Sequence, residues 1–143
     1  MRARLALVTA LLALLTLPGC GRGASLSASD AWIREAPPGA TALAGYVTLS
    51  NAGPAAVRCD AVNGPDFGAV ELHRTVVENG VSRMLRDQAI EIAPGATAQA
   101  APGGLHLMLF RPLRQLRAGD RTSLTLRCGE HAVRTDFEVR AAP

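Results

Sequence analysis

The sequence contains no lysine, so arginine alone carries its permanent positive charge. There are 15 arginines against 12 acidic residues. Arg2 and Arg4 belong to the N-terminal segment, and the remainder of the chain has 13 basic and 12 acidic residues, a net charge of +1. Proteins that bind nucleic acid concentrate basic side chains on one face. We therefore do not expect this nearly balanced chain to bind nucleic acid.

Residue patterns typical of hydrolytic enzymes are also missing. Neither a serine–histidine–aspartate arrangement nor a pair of catalytic carboxylates stands out along the chain. With 143 residues, the chain has the length of one domain with a single hydrophobic core. The sequence predicts a one-domain protein that is not an enzyme.

The N-terminal segment has no apolar run long enough to cross a bilayer. Residues 5–17 are apolar and uncharged, but 13 residues suit the hydrophobic region of a signal peptide better than a transmembrane helix. Leu17-Pro18-Gly19-Cys20 follows and resembles a lipobox. We predict a signal peptide over residues 1–20, a lipidated Cys20, a tether over residues 21–29 and a folded domain over residues 30–143. The alternative to lipidation at Cys20 is plain signal-peptide cleavage nearby. Such a protein lies in the periplasm or cell envelope and meets a membrane only through its lipid anchor.

The remainder of the chain lacks a convincing helix and consists of short runs of β type. Turn-forming residues separate these runs, as in Asn51-Ala52-Gly53-Pro54. An Asn-Gly pair in Glu78-Asn79-Gly80 predicts a tight hairpin. Regularly spaced short strands indicate an all-β sandwich or barrel. The predicted strands cover residues 31–34, 42–50, 56–62, 70–77, 81–85, 105–110, 123–128 and 132–139.

Soft metal-ligand residues collect in one stretch of the sequence. Apart from Met1, the only methionines are Met84 and Met108, and two of the three histidines, His73 and His106, lie in the same stretch. Strand alternation places Leu105, Leu107 and Leu109 toward the core, so His106 and Met108 share the outer face. The same alternation puts His73 on the face away from Val70 and Leu72. If these strands adjoin, two imidazoles and two thioethers meet on one surface.

Imidazole and thioether together form a soft donor set. Thioether sulfur selects Cu(I), whereas oxygen-rich sets suit magnesium, calcium or manganese. Zinc sites use cysteine, histidine and carboxylate. The competing interpretation is that Met84 and Met108 fill gaps in the core, which is a common use of methionine.

The spacing His73-x10-Met84-x21-His106-x-Met108 resembles the copper-binding pattern of the periplasmic copper chaperones called PCu(A)C. Other segments also resemble that family, including Ala31-Trp32-Ile33-Arg34, Val70-Glu71-Leu72-His73 and Pro102-Gly103-Gly104-Leu105. The resemblance implies a cupredoxin-like Greek-key β-sandwich or barrel and an exposed Cu(I) site formed by the four ligands. It also implies delivery of copper towards cytochrome c oxidase, at its copper A site, or to an assembly factor of that enzyme.

The two remaining cysteines, Cys59 and Cys128, share strand parity with apolar neighbours and are predicted to point inward. In an oxidising compartment such a pair forms a disulfide, with Cα atoms about 4.4–6.8 Å apart. The alternative is two separate buried thiols. His131 is predicted to lie in a solvated turn. Arginines that follow Met108 form either a solvated loop or a positive rim beside the metal. They are Arg111, Arg114, Arg117 and Arg121.

Two further classes of protein compete with the chaperone. One is an electron-transfer cupredoxin, whose copper site needs a cysteine thiolate close in sequence to histidine and methionine. Neither Cys59 nor Cys128 has such neighbours. The other is a metal-free envelope lipoprotein with an interaction role, which a metal titration separates from a chaperone.

Overall fold

The computed structural model describes residues 25–142, in which ten β-strands and no helices are found. No helix capable of crossing a membrane occurs in this part of the chain. The strands are β1 (Leu26–Arg34), β2 (Ala42–Asn51), β3 (Val57–Asn63), β4 (Phe67–Glu78), β5 (Val81–Leu85), β6 (Ile90–Ile92), β7 (Thr97–Ala100), β8 (Leu105–Pro112), β9 (Arg121–Cys128) and β10 (His131–Arg140).

Seven of these strands close into a barrel in the order β4-β8-β2-β1-β10-β9-β3, and β3 pairs with β4 to complete it. The β1–β10 pairing is parallel and the other pairings are antiparallel, so the barrel is mixed. The three short strands flank it: β5 pairs with β4, β6 with β3, and β7 with β2. The predicted all-β class is confirmed, and the architecture is a barrel.

The barrel is filled by one side of each strand, as period-two alternation requires. On β8, Leu105, Leu107 and Leu109 are buried in this core, and they meet Leu72 of β4 and Leu43 of β2. Residues of opposite parity on these strands therefore lie on the outer surface of the barrel. This arrangement places His73, His106 and Met108 on the same outer face.

The structure differs from the sequence prediction at the start of the domain. Strand β1 begins at Leu26, which is buried, and residues 26–29 pair with the end of β2. The prediction of a tether over these residues is therefore wrong, because small polar residues here form a strand that is paired from its first residue. The predicted signal peptide and lipidated Cys20 lie outside the described residues.

Two further sequence predictions are confirmed by the fold: the Asn-Gly hairpin and the disulfide between Cys59 and Cys128. Asn79 and Gly80 both have positive φ, and Glu78 pairs with Val81, which is the geometry of a two-residue hairpin turn.

Cys59 and Cys128 are register partners on β3 and β9 and are joined by a disulfide. Their Cα atoms are 3.8 Å apart, closer than the separation predicted from the sequence.

Candidate metal centre

The centre of the candidate site is a pair of histidines on neighbouring strands. His73 of β4 lies directly opposite His106 of β8, and their ring centroids are 6.2 Å apart in an edge-to-face arrangement. The turn before β8 helps to fix this register, because the carbonyl of Gly104 accepts a hydrogen bond from the backbone N–H of Thr75. The two imidazoles therefore occupy adjacent positions on the outer face.

The two methionines lie on either side of His73 on the same face. Met108 is paired with Glu71, two residues before His73, and Met84 is paired with Thr75, two residues after it. Both methionines are thus diagonal neighbours of His73, at backbone separations of about 7–8 Å. Long, unbranched thioether side chains can cover such distances. The strand pairing brings all four predicted ligand residues to one surface, and convergence of their donor atoms on one ion stays a prediction.

Solvent exposure differs sharply among the four side chains. His73 and His106 are 1% and 5% exposed, Met108 is half-buried, and Met84 is 52% exposed. The expectation of an exposed site is therefore wrong for the histidines. Strand parity identifies the outer face, but it does not show which neighbours cover a residue there. The ring of Phe110, whose centroid is 5.9 Å from that of His73, lies over part of this face.

Hydrogen bonds leave one ring nitrogen of each histidine available. Nδ1 of His106 lies 2.9 Å from the carbonyl oxygen of Gly104, which can only accept, so Nδ1 carries the proton and Nε2 keeps its lone pair. Nε2 of His73 lies 2.8 Å from a carboxylate oxygen of Glu71, while its Nδ1 is buried and has no hydrogen-bond partner in the described part of the chain. An imidazole that is held through one ring nitrogen can bind a metal through the other.

Glu71 is the residue at this site that ligand-pattern reasoning did not single out. A signal for it is present in the sequence, because Glu71 and His73 are two residues apart on one strand and must share a face. Within residues 25–142, no three histidine, cysteine or carboxylate side chains are arranged to hold a metal ion. The donors gathered on this face are two imidazoles and two thioethers.

None of the other residues considered from the sequence is a register partner of a proposed ligand residue. His131 is an exposed residue at the first position of β10, where a turn had been predicted. Arg114 forms an ion pair with Asp66 at 3.0 Å, and the Arg114 guanidinium lowers the pKa of that carboxyl. Cys59 and Cys128 are held in their disulfide, so neither offers the thiolate that an electron-transfer cupredoxin requires.

A model of the LpqE-like lipoprotein family matches residues 26–140, nearly the whole described chain. The chain belongs to this family, which is the PCuAC family. Among solved structures, the apo PCuAC domain from PmoF1 has a TM-score of 0.70 at 21% identity and covers 82% of this chain and 95% of that one. The copper-bound PCuAC domain from PmoF2 has a TM-score of 0.69 at 24% identity, with coverages of 82% and 94%. CuI-DR1885 from Deinococcus radiodurans has a TM-score of 0.57 at 20% identity, with coverages of 80% and 76%. These likenesses show a shared fold.

Two curated proteins are also similar to this LpqE-like chain. "Putative lipoprotein Lxx21020" from Leifsonia xyli subsp. xyli is 36% identical over 100 residues, which cover 69% of this chain and 59% of that protein. "Uncharacterized protein RP573" from Rickettsia prowazekii is 30% identical over 81 residues, which cover 56% of this chain and 45% of that protein. The chain thus spans about half the length of these relatives.

Proposed function

We propose that this LpqE-like protein is an extracytoplasmic carrier of Cu(I), which binds the ion through His73, Met84, His106 and Met108. The observation that carries the proposal is the pairing of β4 with β5 and β8, which brings two imidazoles and two thioethers to one face. This set matches the soft-ligand preference of Cu(I).

Membership of the family supports the same function. PCuAC proteins are copper chaperones and not enzymes. Copper is named in the descriptions of two structures that share the fold, the copper-bound domain from PmoF2 and the Cu(I) form of DR1885. The four proposed ligand residues of this chain keep the spacing of the family pattern, and strand pairing supports their location on one face of the sheet formed by β5, β4 and β8.

The uneven exposure of the donors suggests how the ion is passed on. His73 and His106 are buried and fixed by hydrogen bonds, so they form the rigid part of the site. Met84 is exposed on β5, for which β4 is the only partner among the described strands. An incoming thiol, thioether or imidazole from an acceptor protein can replace the Met84 sulfur first, while the histidines still hold the ion. Transfer then proceeds through a complex in which both proteins bind copper.

The acceptor that we propose is cytochrome c oxidase, at its copper A site, or an assembly factor that supplies this site. We also propose a lipid anchor at Cys20, which would hold the carrier at a membrane surface in the cell envelope, within reach of a membrane-bound acceptor. The lipoprotein descriptions of the family and of the Leifsonia relative agree with such an anchor. Mass spectrometry of the protein isolated from membranes, with acylated Cys20 as the expected N-terminus, tests the localisation.

A competition titration against a Cu(I) chelator tests the carrier function directly. The mature domain is expected to bind one Cu(I) ion, and His73→Ala or His106→Ala is expected to weaken binding strongly. His131→Ala is the matched control, because this histidine is exposed on β10 and lies away from the site. A parent protein that does not compete for Cu(I) contradicts the proposal and favours a metal-free envelope lipoprotein.

Transfer is a separate measurement. The Cu(I)-loaded protein is mixed with the isolated, metal-free copper A domain of a cytochrome c oxidase, and copper is measured in both proteins after their separation. Movement of copper to the oxidase domain is the expected result. If the carrier binds Cu(I) tightly but transfers none to this domain or to an assembly factor, the acceptor assignment is wrong and the carrier function stands.

A further inference from the structure

The imidazole of His73 is held from one side by a carboxylate. Nε2 of His73 and Oε2 of Glu71 are 2.8 Å apart. A carboxylate can only accept a hydrogen bond, so the proton lies on Nε2 and the ring donates it to Glu71. This contact selects one of the two neutral tautomers of the imidazole.

The other nitrogen of the same ring is left in an unusual state. His73 is only 1% exposed, and its Nδ1 is buried without a hydrogen-bond partner among residues 25–142. Buried side-chain nitrogen and oxygen atoms are in most cases hydrogen-bonded, so an isolated one calls for an explanation. In the tautomer selected by Glu71, this nitrogen carries a lone pair. A nitrogen with such a lone pair can bind a metal ion.

His106 is held through the other type of ring nitrogen, Nδ1. Its Nδ1 donates to the carbonyl of Gly104 at 2.9 Å, which leaves the lone pair on Nε2. The two neighbouring rings therefore keep their lone pairs on different nitrogens, Nδ1 in His73 and Nε2 in His106. A backbone carbonyl fixes one ring, and a side-chain carboxylate fixes the other.

We propose that Glu71 is a positioning residue of the copper site, which makes His73 bind through Nδ1 while His106 binds through Nε2. The inference rests on the proposed copper function and adds a residue outside the four-ligand pattern. Glu71 is also the register partner of Met108, so its carboxylate lies beside a proposed sulfur ligand and remains partly open to solvent, with 41% of the side chain exposed.

The first test uses the metal-free protein and does not depend on copper. Nitrogen-15 NMR of the histidine side chains at one fixed pH distinguishes an Nε2–H from an Nδ1–H imidazole. The expected result is Nε2–H for His73 and Nδ1–H for His106. Glu71→Ala is expected to abolish the preference at His73 and leave His106 unchanged. Glu71→Gln is expected to retain it, because the amide oxygen accepts the same hydrogen bond.

The second test adds Cu(I) and measures both the spectrum and the affinity. Addition of Cu(I) is expected to shift the nitrogen-15 resonances of Nδ1 in His73 and Nε2 in His106. Glu71→Ala is expected to weaken Cu(I) binding about 10- to 100-fold, which is the usual effect of removing a partner that orients a metal ligand. Glu71→Gln should recover most of this loss. Glu78→Ala is the control, since Glu78 is on the same strand but pairs with exposed Arg83.

The outcomes separate this inference from the proposed function. The positioning role is wrong if the parent binds Cu(I) but copper shifts the nitrogen-15 resonance of Nε2 in His73. It is also wrong if Glu71→Ala changes neither the tautomer of His73 nor the Cu(I) affinity. In both cases the carrier function stands. If the parent does not bind Cu(I), both proposals fail. Selective loss of the Nε2–H tautomer in Glu71→Ala, together with weaker Cu(I) binding and rescue by Glu71→Gln, supports the positioning role.

Discussion

Removal of the disulfide tests whether the thermal stability of the barrel and its Cu(I) affinity depend on different residues. Cys59 and Cys128 join β3 to β9, and both side chains are fully buried. The proposed metal centre lies on β4, β5 and β8. The double variant Cys59→Ala/Cys128→Ala therefore removes the covalent link without altering a proposed ligand.

The expected loss of stability follows from the length of the loop that the disulfide closes. The two cysteines are 69 residues apart in the sequence. In the chain-entropy model, a loop of this length contributes about 4.4 kcal/mol at 25 °C. A domain of this size unfolds with an entropy of about 0.25 kcal/mol/K, at about 2.1 cal/mol/K per residue. The double variant should therefore melt about 15–20 °C below the parent.

The assay is a thermal melt of both proteins without metal, followed by Cu(I) titration at a temperature at which the variant is folded. Cu(I) affinity is expected to be unchanged, because the removed link lies on other strands. The parent treated with a reducing agent is the control, and it should melt near the double variant. A shift of only a few degrees contradicts the loop-entropy argument. Loss of Cu(I) affinity in the folded variant contradicts the separation of the disulfide from the metal centre.

Three further predictions concern single residues. Met84→Leu and Met108→Leu should each weaken Cu(I) binding in a chelator competition but change the free energy of unfolding by less than about 1.5 kcal/mol, since leucine keeps the volume; a large stability loss at Met108 contradicts a ligand role. Asp66, whose pKa is lowered chiefly by Arg114, stabilises the fold above the ordinary aspartate pKa of 3.8, and this contribution is lost as the pH falls through the lower folded pKa. Asp66→Asn should therefore destabilise the protein in denaturant melts at pH 7 and lose this effect in acid; an equal effect at both pH values contradicts the ion-pair argument. Gly80→Ala places a side chain at φ +77° in open space and should cost about 1 kcal/mol in a denaturant melt through backbone strain alone; an unchanged stability contradicts that argument.

Much of the candidate site could be predicted from local sequence because strand alternation decides it. The leucines of β8 must fill the core, so His106 and Met108 must lie on the opposite side. The Asn79-Gly80 turn fixes the register of β4 against β5 and places Met84 next to Thr75. Both features depend on neighbours within a few residues, and local sequence is informative at this range.

Other features depend on contacts that no local pattern contains. His73 is buried, with the ring of Phe110 and the neighbouring strand β8 beside it, and the alternation of β4 does not reveal these neighbours. The first residues of β1 resemble a linker in composition, and pairing with the end of β2 makes them a strand. Strands β6 and β7 have only three and four residues, and Thr97 is the one residue of β7 with a strand preference. In these cases tertiary pairing overrides local propensity.

The position of β5 at the end of the strand order has a consequence for how fast the ion can leave. Every residue of β5 is exposed, and β4 is its only partner strand among those described. Regions with few buried contacts open at a small fraction of the free energy of global unfolding, and their amide hydrogens exchange first with solvent deuterons. The amides of β5 should therefore exchange long before those of β8, whose strand is paired on both sides. A carrier built in this way can be thermally robust and still have a short copper residence time, because dissociation of the Met84 sulfur requires only this hairpin to open.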